Sequence, residues 1–182
     1  MNRKNFLLTT LTAIPALAFT KITPNDKPKK KAFKVENEKD RFNERLFFKG
    51  KHPNDVKISG KDTDGQLAMF EYTGFEKTGP SMHLHLKQDE IFYVVEGEYR
   101  FVVGEETMHL KTGETIFLPR NVPHTWIQLT DKGKMIYLVQ PAGKMEDFFK
   151  AMSKFKTRPS EEQSKKIHEE NDMRTIGPGL SL

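Results

Sequence analysis

Three side chains that commonly bind metal ions lie close together in the sequence between Gly79 and Gly97. His83 and His85 are two residues apart, a spacing that places both side chains on the same face of a β-strand. Glu90 follows a polar stretch typical of a turn and opens a run of β-branched and aromatic residues that predicts the next strand. Because neighbouring strands lie about 4.8 Å apart, all three groups can reach one ion at the usual distance of about 2.0–2.2 Å.

A fourth potential ligand, His124, follows a second segment in which glycine and proline residues mark the turns. Gly113 and Pro119 flank a short predicted strand, and Asn121 lies in the turn before His124. Asparagine tolerates the positive φ that such turns require. The sequence therefore supplies three imidazoles and one carboxylate, each at the start of a predicted strand or close to it.

The two segments resemble the paired motifs of the cupin superfamily. The first motif, HxH(x)4E(x)6G, is matched in full, although Gly79 stands four residues before the first histidine rather than six. The second motif, G(x)5PxG(x)2H(x)3N, is matched except that Asn121 replaces its middle glycine and Gln128 replaces its final asparagine. All four ligand positions are present, and the resemblance covers roughly residues 60–142.

This resemblance implies an all-β fold, a double-stranded β-helix (jelly-roll barrel) with two C-terminal helices. The residues favour the same fold, because short predicted strands separated by glycine-containing turns recur up to about Gln140. From Met145 to Phe155, Met and Phe residues recur at helical spacing, which predicts a helix that packs on the barrel or on a second subunit. Ser160 and Gln163 fit a capping box, which predicts the start of a second helix.

We predict four segments along the chain. They are a signal peptide at residues 1–18, a basic linker with edge strands at 19–45, the cupin barrel at 46–142 and a C-terminal helical extension at 143–182. Short edge strands are expected at Phe33–Val35 and Arg45–Phe48. Lysines and prolines alternate in the linker, and a basic run beside prolines is more typical of a solvated linker than of a nucleic-acid-binding arm.

The N-terminal residues match the pattern of an export signal. Arg3 and Lys4 precede a mostly apolar stretch, and Ala16-Leu17-Ala18 fits a small-x-small cleavage site. The stretch is too short for a comfortable membrane span. It also resembles a twin-arginine signal with lysine at the second arginine, which leaves the route open between twin-arginine and general secretion. We therefore expect an exported protein, periplasmic or secreted, with no stable membrane span after cleavage.

Charge and cysteine content exclude several kinds of site. The formal net charge is +5, but much of the positive charge lies in the linker, so no nucleic-acid partner is expected. The sequence contains no cysteine, which excludes disulfides, zinc–thiolate sites and thiol nucleophiles. It also contains no P-loop, no dinucleotide-binding glycine pattern and no nucleophile elbow.

The predicted ligands suit one divalent transition metal, and without a thiolate the choice among Fe, Mn, Ni, Co, Cu and Zn stays open. Period-two counting places Phe92 on the same strand face as Glu90, and Trp126 and Gln128 on the same face as His124. We therefore predict that these three residues bind a small-molecule substrate, with the two aromatic rings as a floor for a planar molecule. Glu90 is also the candidate catalytic base.

The remaining histidines are predicted to be unrelated to this site. His109 is out of phase with the inward-facing residues of its strand and is expected to be exposed. His52 precedes a proline and is expected in a loop, and His168 is expected on a polar helix.

Three functions remain open at this point. The resemblance to quercetin-2,3-dioxygenase-like single-domain cupins implies a metal-dependent oxidoreductase of dioxygenase type, acting on a small aromatic or enediol substrate. The same ligands can instead polarise a carbonyl in an isomerase, epimerase or lyase acting on a sugar or keto acid. A non-catalytic cupin that binds a small molecule is the third possibility. The family resemblance also implies a homodimer.

Overall fold

The structure, a computed structural model, describes residues 30–155 and 159–182. The predicted signal peptide at residues 1–18 and the first part of the linker lie outside the described residues. Residues 33–182 form one unit. In chain order its strands are β1 (Phe47–Phe48), β2 (His52–Ile58), β3 (Ala68–Gly74), β4 (Ser81–His85), β5 (Asp89–Glu96), β6 (Glu98–Val103), β7 (Glu106–Lys111), β8 (Thr115–Leu118), β9 (His124–Gln128), β10 (Gly133–Gln140) and β11 (Met173–Gly179).

The strands form two antiparallel sheets. One sheet has the order β1-β2-β3-β10-β5-β8 and the other has the order β11-β4-β9-β6-β7. Burial alternates along the strands, as on β5, where Phe92 is buried and Tyr93 is exposed. Alternation of this kind gives each sheet one apolar face. These findings confirm the predicted all-β jelly-roll fold.

Two helices follow the barrel, α1 (Met145–Ser153) and α2 (Glu161–Glu170). The Ser160 side chain accepts a hydrogen bond from the Gln163 N–H, and the Gln163 side chain accepts one from the Ser160 N–H, so the predicted capping box is present. The ring of Phe149 on α1 contacts Phe70 of the barrel, with centroids 5.2 Å apart. The apolar face of α1 therefore packs on the barrel. Among the described residues, neither helix has the length or apolar character needed to cross a membrane.

The strand β11 is not anticipated by the sequence patterns, which predict only helix after the barrel. It pairs antiparallel with β4, placing Met173 opposite His85 and Thr175 opposite His83. Pro178 is tolerated there because β11 is an edge strand, in which a missing backbone donor disrupts no further pairing. The described residues Phe33–Val35 form no strand, so the expected first edge strand is wrong.

Candidate metal centre

The fold brings the four predicted ligands together. His83 and His85 lie on β4, Glu90 is the second residue of β5, and His124 is the first residue of β9. His83 and His124 are direct partners across the β4–β9 pair. All four side chains are buried, and one potential ligand atom from each lies within 4.8 Å of the others. The turn before His124 has Asn121 at φ 64°, the positive value predicted for this position.

Backbone carbonyls orient two of the three imidazoles. The Nδ1 atom of His83 lies 2.8 Å from the carbonyl oxygen of Ser81, and that of His124 lies 3.0 Å from the carbonyl oxygen of Val122. A carbonyl oxygen only accepts hydrogen bonds, so Nδ1 is the protonated nitrogen in both rings. Each neutral ring then presents the lone pair of Nε2, which is the arrangement a metal ion requires.

The amide of Gln88 lies beside the third imidazole, that of His85. Burial lowers the pKa of His85 and the nearby amide opposes this shift, but within the described residues neither the amide atoms of Gln88 nor the ring nitrogens of His85 have a hydrogen-bond partner. Gln88 is 1% exposed and packs against Gly143, where a Cβ atom would lie 1.9 Å from the Gln88 Nε2 atom. The positive φ of Gly143, 52°, also favours glycine. The β10–α1 connection thereby holds Gln88 against a ligand histidine.

The charges of the cluster match those of a metal site. Burial lowers the pKa values of His83 and His85, so these rings are neutral at pH 7. Burial raises the pKa of Glu90, whereas positive charge on the neighbouring His85 and His124 would lower it. With the rings of His83 and His85 neutral, a bound cation would supply that stabilisation of the carboxylate.

Two imidazole nitrogens face the Glu90 carboxylate inside the protein. Glu90 Oε1 lies 3.6 Å from His85 Nε2, and Glu90 Oε2 lies 3.2 Å from His124 Nε2. Both Nε2 atoms are buried, and within the described part of the chain neither has a hydrogen-bond partner. A buried carboxylate facing unprotonated nitrogens is poorly compensated. The cluster is compatible with a single metal ion, which His83, His85, Glu90 and His124 would hold.

Acidification is expected to destabilise the metal-free protein. The lowered pKa values mean that His83 and His85 take up protons below pH 6.5 in the unfolded chain but not in the folded chain. The free energy of unfolding should then fall by about 1.4 kcal/mol per pH unit for each histidine as the pH drops below this value. Urea unfolding of chelator-treated protein at several pH values measures the slope.

The matched variants for this measurement are His83→Gln and His109→Gln. The first should remove one histidine's share of the slope, whereas the second should leave the slope unchanged because His109 is exposed on β7. An unchanged slope in His83→Gln would contradict the assignment.

A cavity of about 940 Å³ adjoins the cluster, with His83 and Glu90 in its wall. Phe92 and Trp126, two of the three predicted substrate-binding residues, also line it. Helix α1 and strand β11 close other parts of the wall through residues such as Phe148. Two of the metal ligands and several aromatic rings therefore line the same cavity.

Gln128, the third predicted substrate-binding residue, is not among the described residues that line this cavity. Its side chain is fully buried, with Nε2 donating to the carbonyl oxygen of Thr130 at 2.9 Å and Oε1 accepting from the Tyr99 hydroxyl at 3.4 Å. The amide also packs against Gly74 and Gly133. These contacts give Gln128 a structural role in the protein interior, and its substrate-binding role stays a prediction.

Two histidines are placed differently from the predictions. His52 is fully buried in β2 rather than in a loop; its Nδ1 accepts from the Phe75 N–H at 3.2 Å, so Nε2 carries the proton shared with Glu76. His168 on α2 is 7% exposed, lines the cavity and lies 6.2 Å from His83 between ring centroids. His168 was missed because Ile167 is the only apolar residue of α2, so no apolar stripe marks the face that is buried.

Comparison with known proteins agrees with this architecture. A family model described as a cupin domain matches residues 70–140. An uncharacterized protein of Methanocaldococcus jannaschii is 35% identical over 43 residues, a match that covers 24% of this chain and 34% of the archaeal protein.

Three solved structures share the fold. KdgF from Halomonas sp. has a TM-score of 0.53 and 19% identity, covering 61% of this chain and 94% of its own. An RmlC-like cupin from Shewanella frigidimarina has a TM-score of 0.53 and 23% identity, covering 65% and 96%. Pac13, a nucleoside dehydratase, has a TM-score of 0.52 and 14% identity, covering 82% and 94%. With its motifs, its two sheets and its buried cluster, the chain contains a cupin domain, which the family model matches over residues 70–140.

Proposed function

We propose that the protein is an exported, metal-dependent oxidoreductase of dioxygenase type that acts on a small aromatic or enediol substrate. The observation that carries this proposal is the opening of the His83 and Glu90 side chains into a cavity walled by aromatic rings. A divalent transition metal held by His83, His85, Glu90 and His124 would supply Lewis-acid and redox chemistry there.

The side chains of the protein supply binding and proton transfer. Phe92 and Trp126 offer ring faces on which a planar substrate can stack, and such contacts exclude water from the reacting atoms. Glu90 would be ionised beside a bound metal and would be the group that accepts a proton from a substrate hydroxyl, whose acidity the metal would raise.

Oxygen consumption tests this proposal. Protein loaded in turn with each candidate metal is mixed with a catechol, an enediol and a flavonol, and oxygen uptake is recorded. We expect uptake with at least one of these substrates. Glu90→Gln should slow it by about 10²–10⁴-fold, the usual contribution of a general base, whereas His109→Gln, at an exposed position on β7, should not change it. Absence of uptake with all three classes would rule the proposal out.

A metal-assisted lyase or isomerase is the second candidate. The fold is shared, along 82% of this chain, with a nucleoside dehydratase. A lyase needs no oxidant, so product formation from a sugar or keto acid under nitrogen would favour this candidate over the first.

Export and dimerisation complete the proposal. Export rests on the signal pattern of residues 1–18, and deletion of these residues should retain the protein in the cytoplasm upon cell fractionation.

Dimerisation is supported by Tyr93 and Phe117, which are 43% and 57% exposed on the outer face of adjacent strands. Sedimentation at micromolar concentration should show two chains, and a single chain would contradict this part.

A further inference from the structure

We propose that Asn54 is the residue that recognises a carbonyl oxygen of an aromatic ligand in the cavity, with Tyr137 holding its amide in place. This inference rests on the proposed function, since it specifies which substrates the same cavity accepts. Asn54 and Tyr137 lie on β2 and β10, face inward and both line the cavity.

The hydrogen bond between these residues fixes the orientation of the amide. The Tyr137 hydroxyl donates to Asn54 Oδ1 at 2.8 Å. The Tyr137 ring is itself held between two others, stacked on Phe70 at 5.1 Å and on Phe92 at 5.0 Å between centroids. Because Oδ1 accepts this hydrogen bond, the Nδ2 group of Asn54 points away from the Tyr137 hydroxyl. An amide nitrogen only donates hydrogen bonds, so Nδ2 can bind only an acceptor.

The Asn54 Nδ2 group is an unpaired donor. Asn54 is 2% exposed, and across the described ranges Nδ2 has no hydrogen-bond partner. Buried polar atoms without a partner are rare in folded proteins, and those at a cavity wall commonly await a ligand or water. A group that only donates selects for a ligand atom that accepts, such as a carbonyl oxygen.

Asn54 and Tyr137 line the cavity at some distance from the metal centre. On β10, Val139 pairs with Glu90 and Tyr137 pairs with Phe92, so Tyr137 lies in the next inward row, about 7 Å further along the strands. A ligand with one end at the metal centre would therefore cross the face of Phe92 to bring an acceptor oxygen to Asn54. The stacked rings between the two points favour a planar aromatic body.

Two ligands that differ by one carbonyl group test the inference. The probes are 1-indanone and indane, and binding is followed by the fluorescence of Trp126, which is the only tryptophan of the sequence and lines the cavity. We expect 1-indanone to bind about tenfold more tightly than indane, a ratio that corresponds to about 1.4 kcal/mol. Equal binding of the two probes, or binding of neither, would overturn the inference.

The double variant Asn54→Leu/Tyr137→Phe separates recognition from stability. It replaces both partners of the hydrogen bond with apolar groups of similar shape, a change that is nearly neutral for folding. The melting temperature should therefore be retained while the preference for 1-indanone disappears. A preference that survives in the double variant would overturn the assignment to Asn54.

Single variants provide the matched controls. Tyr137→Phe leaves the Asn54 donor in the protein but releases its amide, so the preference should weaken without disappearing. An unchanged preference would show that Tyr137 does not hold the amide, and complete loss would assign recognition to Tyr137 instead. Asn54→Ser replaces the double variant if the latter does not fold, with the same expected loss. Because binding is measured without turnover, a protein that prefers 1-indanone but consumes no oxygen would support this inference and reject the dioxygenase proposal.

Discussion

Replacing either His85 or His124 with alanine is expected to lower the affinity for a divalent transition metal by more than about 100-fold. Changes to residues that only orient metal ligands already cost 10–100-fold, and loss of a ligand removes a bond to the ion itself. Both histidines are buried with an unpaired Nε2 atom that faces Glu90. Elemental analysis after dialysis should find close to one ion per chain in the unaltered protein and a small fraction of that in each variant.

His109→Ala is the control for both variants, because His109 is an exposed histidine on β7 that lies outside the cluster. It should retain the full metal content. Metal should also raise the free energy of unfolding of the unaltered protein, by about 2.7 kcal/mol when the free metal is at 100 times its dissociation constant. A full metal content in His124→Ala would show that the four residues do not form the site.

Gly79→Ala is expected to destabilise the fold by about 3 kcal/mol or more, as severe overpacking does. A Cβ atom on Gly79 would lie 1.7 Å from the carbonyl oxygen of Trp126 and 3.1 Å from the Cα atom of Ile127. These are backbone atoms of β9, the strand that His124 opens, so they cannot move aside as a flexible side chain would. Urea unfolding measures the change, and accumulation of insoluble protein would be the extreme form of the same result.

Gly177→Ala on β11 is the matched substitution. A Cβ atom there would lie 3.9 Å from the Cβ atom of Met82, an ordinary contact, so stability should change by less than about 1 kcal/mol. If Gly79→Ala unfolds at the same urea concentration as the unaltered protein, the close approach of Gly79 to β9 is not a constraint on the fold.

The metal ligands were predictable because the alternation of side chains along a strand fixes the face on which each ligand lies. The expected pairing of the two strands that carry His83, His85 and Glu90 is wrong, because β4 pairs with β9 and β11 in one sheet and β5 pairs with β10 and β8 in the other. Glu90 therefore reaches the histidines from the opposite sheet. The same alternation correctly placed Phe92 and Trp126 inside the barrel. Gln128 shows the limit of this alternation, because it lies two residues beyond Trp126, about 7 Å further along the strand, and only Trp126 of the two lines the cavity.

The elements that were missed depend on contacts between distant parts of the chain. His52 precedes a proline, which suggests a loop, but β1 pairs with only two residues of β2 and therefore accommodates Pro53. His168 is buried because α2 packs its ring against Phe148 of α1, with centroids 4.9 Å apart. No periodicity within a ten-residue polar helix reveals such a contact.

The pairing of β11 with β4 has a consequence for biosynthesis. The ribosome releases the chain from its N-terminus, so β4 and β9 are complete before residue 173 has been added. During that interval β9 can already pair with one edge of β4, the strand that carries His83 and His85. The opposite edge of β4 stays unpaired until β11 has been synthesised. Unprotected strand edges join to those of other chains. A translational pause before residue 173 should therefore promote misassembly between nascent polypeptides on one messenger RNA.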